Sequence, residues 1–484
     1  MKKKYDSVHQ LHSDINYLID NNKLDLALNK ISEHVSNIIT EPLCTSTTLG
    51  SKELDHLCLR IGSLAFNETK KICSAANKVV LSEQPTYVYL VTKMQVSGGH
   101  SRVIRDLINC AETGVHYILS TELSGRTEVK SLDCFQEKGR KVIFESSSEG
   151  SFLKKLKWLQ MRLLELRPQK VYLFNHHQDS VAVAAIQPEM NFNAYFYHHG
   201  DHHLCLGLYC SHLKHIDPHP MGFFNCRDKL GINNIYLPLS IEDQGIQNKK
   251  KFMSQGYLVT CTAARSNKVE IPYYVNYIDT IPQLIKATGG KHVHIGKISF
   301  LAVMKIRFNL KRLNLPEDRF LYIEYTSSVW KTLQKNNVDL YIASFPYGGG
   351  LTLIEAMGAG IPVVLHQHMY SRILSGLELS YENSFSWRYP EELLDYCSRV
   401  SIEELELNAA LSRNHYEQFH IMKHTIDFVN NNNYIEPRPR ALDEKYTPVE
   451  AEVSFWVARQ INISSVLYRI AYRLAKKIKS ILNI

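Results

Sequence analysis

The sequence predicts an α/β protein of two doubly wound, Rossmann-like parallel-sheet lobes, preceded by a helical segment and followed by an amphipathic helix. Three observations predict it. Short apolar runs rich in β-branched and aromatic residues alternate with helix-period stretches from Tyr87 onward, as a parallel sheet covered by helices requires. The alternation pauses at the polar, charged stretch Glu242–Lys251 and then restarts, which predicts a second sheet. Each half also carries a glycine turn between a strand and a helix, Gly98-Gly99 in the first and Gly348-Gly349-Gly350 in the second.

The elements follow in order. Residues 1–78 read as all-helical, with amphipathic stretches His9–Ile19 and Leu24–Ile38 broken at Asn21-Asn22-Lys23. No second copy recurs at a fixed period, so packing or docking is the expected role. Residues 79–245 form the first lobe, with strands expected at Tyr87–Val91, Tyr117–Leu119, Lys141–Phe144, Lys170–Phe174, Ala194–Tyr197 and Ile235–Leu237. Helical patterns lie between them at Val103–Ala111 and Phe152–Leu166. Residues 246–430 form the second lobe, with strands expected at Tyr257–Thr262, His292–Ile295, Arg319–Ile323, Asp339–Ala343 and Pro362–Leu365. Two such sheets imply a cleft lined by strand carboxyl ends, where ligands of doubly wound folds bind. Residues 431–484 comprise a linker and a helical pattern over 453–484. Ile463, Leu467, Ala471, Leu474, Ile478 and Ile481 share one face there, and Arg469, Arg473, Lys476 and Lys479 the other. That pattern suits an anionic membrane surface, or a terminal helix packed on the protein with a solvated basic face.

Composition narrows the function classes. A chain of 484 residues is too long for one ordinary core. With 44% apolar and 21% charged residues it reads as globular, and no apolar run approaches the ~18–20 residues of a membrane span. The basic start, Lys2-Lys3-Lys4, leads into polar residues and not an apolar signal core, so a cytoplasmic location is expected. The ten cysteines are scattered without a C-x-x-C pair, which predicts buried free thiols. The net charge of +8 suits phosphorylated substrates or an anionic membrane surface; no nucleic-acid-binding module accompanies it.

The most informative stretch runs from Ser344 to Leu365, S-F-P-Y-G-G-G-L-T-L-I-E-A-M-G-A-G-I-P-V-V-L. Strand, glycine turn, helix and strand aim backbone N–H groups and a positive helix end at a phosphate. Glu355 lies one turn into the helix, where a carboxylate can accept from ribose hydroxyls. From Gly348 to Val364 the string resembles, without a gap, the donor-nucleotide motif of GT-B glycosyltransferases, E-G-F-G-L-x-x-L-E-A-M-A-x-G-x-P-V-V. The resemblance implies a GT-B fold over roughly residues 80–430 and transfer of a sugar from a nucleotide-sugar, UDP-linked, to a glycan or glycolipid. It implies no resident cofactor and no essential metal, consistent with the lack of a D-x-D motif beside the turn. It makes Glu355 the second Glu of the E-x7-E pair, which holds the ribose. The first Glu, which touches the donor sugar, is replaced by Tyr347, so a catalytically silent subunit is one alternative. A protein acceptor bound with help from the N-terminal helices is another. Gly349, Gly350, Leu351 and Thr352 would line the phosphates.

Other candidates lie at strand ends. Arg265 and Lys268 follow the second lobe's first strand and resemble the cation pair of GT-B donor sites. His294 and Gly296 end the next strand. Gly98, Gly99, His100 and Arg102 begin a helix after the first lobe's first strand and are expected to line the cleft. Tyr197-His-His-Gly-Asp-His-His203 is the densest cluster. A metal site there needs a His where Tyr197 stands, so general-base chemistry is favoured, with Asp201, His199 and His202 as candidates for activating an acceptor. The segment resembles an H-x-D-H-x-F/L-x-L-G stretch of some bacterial glycosyltransferases. Histidines satisfying strand-end hydrogen bonds are the alternative. Asn175-His-His177 ends a neighbouring strand.

Overall fold

A computed structural model describes residues 2–40, 44–76, 84–96, 98–128, 132–136, 141–247, 251–271, 273–369, 371–431 and 434–442. The expected helix over 453–484 lies outside them. By compactness the chain divides into two units. The first takes residues up to Pro218 together with Gly222–Leu237 and Thr425–Glu436. The second takes His219–Met221, Pro238–His424 and the described residues from Pro437. The N-terminal helices thus belong to the first unit, and the segment after the second sheet returns to it.

The first unit holds a seven-stranded, all-parallel sheet in the order β3-β2-β1-β4-β5-β6-β7. Its strands are β1 Thr86–Val91, β2 Val115–Ser120, β3 Val142–Ser146, β4 Lys170–Phe174, β5 Ala194–Tyr197, β6 Lys214–Asp217 and β7 Asn234–Tyr236. Successive side chains on a strand alternate faces, and here both faces are dry. Val88 and Leu90 pack with the Phe152–Leu166 helix and the N-terminal helices, including Ile31 and Ile61. Tyr89 and Val91 pack on the other face with Leu107 of the Gly99–Cys110 helix and with Phe428. Each fully buried Leu or Val in such layers contributes roughly 1.5–3 kcal/mol. The three N-terminal helices, Lys2–Asp20, Leu24–Ile39 and Lys52–Ala76, therefore complete this core. The buried Asp55 adds a polar tie, accepting from the Gly207 N–H at 2.7 Å and the Tyr209 N–H at 2.8 Å.

The second unit holds a six-stranded parallel sheet, order β10-β9-β8-β11-β12-β13. Its strands are β8 Val259–Ala263, β9 Lys291–Ile295, β10 Phe320–Ile323, β11 Leu340–Ile342, β12 Val363–His366 and β13 Phe385–Trp387. Val259 and Cys261 pack with the Gly350–Gly358 helix on one face; Leu340 and Ile342 pack with the Tyr277–Thr288 helix on the other. Helix starts are marked by Ser or Asn caps, as at Asn276 and Ser299.

The expected strands all form, with ends displaced by up to two residues. Two more appear, β6 and β13. In β6 the buried residues are His215, Ile216 and Asp217, and β13 is only three residues long, so neither offers an apolar run. In each sheet the strand order reverses beside the first strand, between β1 and β4 and between β8 and β11. Loops leaving the carboxyl ends on either side of such a switch point diverge and leave a crevice for ligand.

Candidate functional site

In the second unit the switch point brings together the loop after β8 and the turn after β11. Lys268 comes from the first and the glycine turn from the second. Lys268 Nζ donates to the Gly348 carbonyl at 2.7 Å, and the Tyr347 N–H donates to the Lys268 carbonyl at 3.3 Å. Ser344 Oγ donates to the Tyr347 carbonyl at 2.7 Å, and the Gly348 N–H to the Leu374 carbonyl at 3.2 Å. The turn is thus held from three sides by polar contacts.

Glycine is required within it by close approach. A Cβ on Gly348 would stand 2.6 Å from the Leu374 carbonyl oxygen, and one on Gly349 2.7 Å from Thr352 Oγ1 and 3.5 Å from Lys268 Nζ. Gly349 caps the Gly350–Gly358 helix without a side-chain acceptor. The helix begins with the N–H groups of Gly350, Leu351 and Thr352, its first turn carries no acidic side chain, and the Lys268 ammonium stands beside it. A helix N-terminus concentrates about half a positive charge, so helix and lysine together favour an anion. Burial holds the Lys268 pKa down to about 8 from its ordinary 10.5. An anion arriving here would reverse that penalty.

Glu355 is buried, and its Oε2 accepts from the Trp330 N–H at 2.8 Å. It thereby satisfies one of the N–H groups that the Val329–Lys335 helix cannot satisfy itself. One turn later Gly358 lies against the Trp330 ring; a Cβ there would stand 2.0 Å from it. Trp330 Nε1 donates to the Gly245 carbonyl at 2.8 Å. Glu355 and Gly358 thus lock the two helices through the backbone and ring of one tryptophan. Nothing in the sequence marks Trp330 for this role, nor Ser344 for the turn.

The remaining donor candidates differ in setting. Arg265 is exposed at the start of the short Ser266–Val269 helix. Tyr347 is half-buried, its ring centroid 5.7 Å from that of His368. His294 lies inside the core: Nδ1 is 2.6 Å from the Tyr277 hydroxyl and Nε2 3.1 Å from the Ala264 carbonyl. Both ring nitrogens are engaged within the protein, and burial holds its pKa down to about 4. The Tyr277 hydroxyl also meets His292 at 3.0 Å. Gly296 takes φ 118°, and a Cβ there would stand 2.3 Å from the Ala264 carbonyl oxygen.

In the first unit, the carboxyl ends of β1, β4 and β5 gather the histidines. His100 sits on the first turn of the Gly99–Cys110 helix, capped by Gly98, and its Nε2 meets the Phe174 carbonyl at 3.0 Å. Its ring lies 4.6 Å from that of His199 and 5.6 Å from that of His176. Burial pushes all three down, His100 to about 4, His176 to about 3 and His199 well below its ordinary value, so they are neutral at pH 7. His199 Nε2 is buried without a hydrogen-bond partner. His177, His202 and His203 form a second group, with His177 5.3 Å from His202. Asp201 Oδ1 lies 3.3 Å from His202 Nδ1, and the His202 side chain is 30% exposed against 11% for Asp201. A carboxylate that holds Nδ1–H orients the ring and leaves Nε2 to take a proton. Arg102 pairs with Asp106 at 3.6 Å, one turn along its own helix. The structure thus joins His100, His199, Asp201 and His202 with the Asn175-His176-His177 strand end.

No protein-family model matches this chain, and no curated protein sequence matches it significantly. Solved structures do share its architecture. A glycosyltransferase from Rickettsia africae ESF-5 aligns over 73% of this chain and 100% of its own, with TM-score 0.53 and 12% identity. The chain has a GT-B fold. The lipopolysaccharide outer core galactosyltransferase WaaB, in its apo form, aligns over 71% of this chain and 98% of its own (TM-score 0.52, 15% identity). Anabaena Alr3699/HepE in complex with UDP aligns over the same shares (TM-score 0.53, 13% identity). No helix among the described residues is long and apolar enough to cross a membrane.

Proposed function

We propose that this GT-B chain is a glycosyltransferase that moves a sugar from a UDP-sugar to a hydroxyl of a growing glycan. The observation that carries the reading is the start of the Gly350–Gly358 helix, with Lys268 Nζ beside Gly349 and Gly348. Helix N–H groups and ammonium would bind the diphosphate and stabilise the charge that develops as UDP departs. That arrangement supports transfer without an essential metal. Glu355 would share its carboxylate between the Trp330 N–H and the ribose. The UDP bound to HepE supports uridine as the base. In the first unit His202, oriented by Asp201, would take the acceptor's hydroxyl proton. The acceptor oxygen then bonds the anomeric carbon as the bond to the diphosphate breaks.

Assembly of capsule or lipopolysaccharide at the cytoplasmic membrane face fits such an activity. The basic amphipathic pattern of 453–484 supports it. So does the Phe300–Arg312 helix, which exposes Phe300, Leu301, Met304 and Phe308 among Lys305, Arg307, Lys311 and Arg312. Deleting 453–484 should reduce co-sedimentation with anionic liposomes; unchanged sedimentation removes that segment from the proposal.

The test of function is a thermal-shift and calorimetric screen of the full chain against UDP, GDP, CMP, ADP and their sugars, with and without Mg²⁺. Saturable, metal-independent UDP binding is expected. No binding to any nucleotide overturns the donor site. Tyr347 in place of the first motif Glu favours a second reading, a silent subunit that supports a partner. UDP binding with neither donor hydrolysis nor transfer would select it.

A further inference from the structure

We propose that the first unit holds a structural zinc ion, bound by His198, His215, Asp217 and Cys226. The ligands come from adjacent elements. His198 follows β5, His215 and Asp217 lie on β6, and Cys226 sits on the π-helical turn Asn225–Lys229. One ligand atom from each lies within 4.8 Å of all the others. Asp217 Oδ1 is 2.8 Å from His198 Nδ1 and 3.6 Å from Cys226 Sγ. Cys226 Sγ is 3.5 Å from His198 Nδ1, and Asp217 Oδ2 is 3.1 Å from His215 Nε2. A tetrahedral zinc with bonds of about 2.0–2.3 Å separates its ligands by roughly 3.2–3.7 Å. The His–Asp contacts would lengthen by a few tenths of an ångström to reach it, and any pair near the 4.8 Å bound would close by about 1 Å.

Three further observations point to an ion. All four residues are buried, at 1%, 3%, 0% and 0% exposure in sequence order, and buried charge is stable when paired or metal-bound. His215 Nε2 is close to Asp217 yet lacks hydrogen-bond geometry, and its Nδ1 has no partner either. A metal ion would take up the Nε2 lone pair, which a carboxylate oxygen, itself an acceptor, cannot. Asp217 is also oriented from outside: Asn234 Nδ2 donates to Oδ2 at 2.6 Å and to the Phe223 carbonyl at 2.9 Å, the kind of supporting contact that metal ligands carry.

The charges balance. A buried thiol without an ion keeps its proton. Zinc binding would release that proton to solvent and leave Zn²⁺, one thiolate, one carboxylate and two neutral imidazoles, a neutral set suited to a dry interior. Thiolate and imidazole select zinc over magnesium or calcium. The site is separate from the 197–203 histidine pattern, of which it uses only His198. Its effect is to pin the ends of β5 and β6.

The experiment uses the full chain, without an added histidine tag, purified without chelator. Elemental analysis should find one zinc per chain. X-ray absorption at the zinc edge should give one sulfur at about 2.3 Å and nitrogen or oxygen at about 2.0–2.1 Å. Removing the ion should lower Tm, and added Zn²⁺ should restore it. Cys226→Ala and His215→Ala should lose the zinc; if they fail to fold, the wild-type absorption spectrum still decides. Zinc-free protein that takes up none, or zinc without a sulfur neighbour, overturns the proposal and leaves Asp217 held by His198, Cys226 and Asn234.

Discussion

Replacing Lys268 by methionine separates its role in binding from its role in folding. Burial brings its pKa from 10.5 to about 8. If a bound diphosphate restores the ordinary value, ligand and ammonium are coupled by roughly 3 kcal/mol, or about 2–3 once the water still reaching this half-buried side chain is allowed for. Lys268→Met should therefore weaken UDP binding about 30–150-fold at pH 7. Wild-type affinity should hold up to pH 8 and then fall by up to about tenfold per pH unit towards 10, as the free protein loses the proton. The variant should lack that fall; titration of the uracil ring affects both proteins alike and drops out of the comparison. Stability moves the other way. A depressed lysine pKa penalises the folded state fully below pH 8, and the penalty is relieved as pH rises from 8 to 10.5. Lost contact with Gly348 offsets part of this gain, so the variant's Tm at pH 7 should not fall greatly. Isothermal calorimetry across pH 7–10 measures the affinities and the proton uptake. Equal affinity of the two proteins at pH 7, with parallel pH profiles, refutes the assignment of Lys268 to the diphosphate.

Substitutions at three other positions test the remaining roles. Glu355→Ala strands the buried Trp330 N–H and removes the proposed ribose acceptor, so it should cost roughly 1.5–3 kcal/mol in UDP binding and lower Tm. Glu355→Gln keeps an acceptor for Trp330 and should lower affinity with little change in Tm; unchanged affinity in both variants discards the ribose role. Asp201→Asn should leave UDP affinity intact while slowing transfer about 10²–10⁴-fold, and normal turnover would remove Asp201 from catalysis. Gly358→Ala drives a methyl into the Trp330 ring and should destabilise by roughly 1–3 kcal/mol in denaturant unfolding, whereas a neutral result would mean that the two helices separate at little cost.

What was legible in the sequence was governed by apolar periodicity. β4 is buried on both faces and, after Lys170, reads directly as an apolar run, and the glycine turn is flanked by two short buried strands. β6 was hidden because its interior is polar: Lys214-His-Ile-Asp217 looks like a surface segment until its neighbours supply partners. Long-range polar contacts are invisible to periodicity for the same reason. Asp55 meets Gly207 and Tyr209 across more than 150 positions of chain, which ties a helix read as separate to the loop after the histidine cluster. His294 shows the converse. Its place at a strand end was readable, but its neighbours Tyr277 and Ala264 were not, and they engage both of its nitrogens.

The replacement of the motif's first Glu by Tyr347 bears on which property of the site can change independently. The turn is held through main chain: the Tyr347 N–H to Lys268, the Tyr347 carbonyl from Ser344, and the Gly348 N–H to Leu374. None of these contacts depends on the side chain at 347. The phosphate-directed N–H groups also belong to the backbone, and their cation comes from a different strand end. If the turn binds a diphosphate as proposed, Tyr in place of Glu leaves that main-chain geometry intact and changes only the side chain offered beside it, from a carboxylate to a phenol next to His368. On the proposed assignment, nucleotide binding and sugar handling are therefore separable. Retained UDP affinity accordingly says nothing about the sugar, whose identity has to be read from turnover.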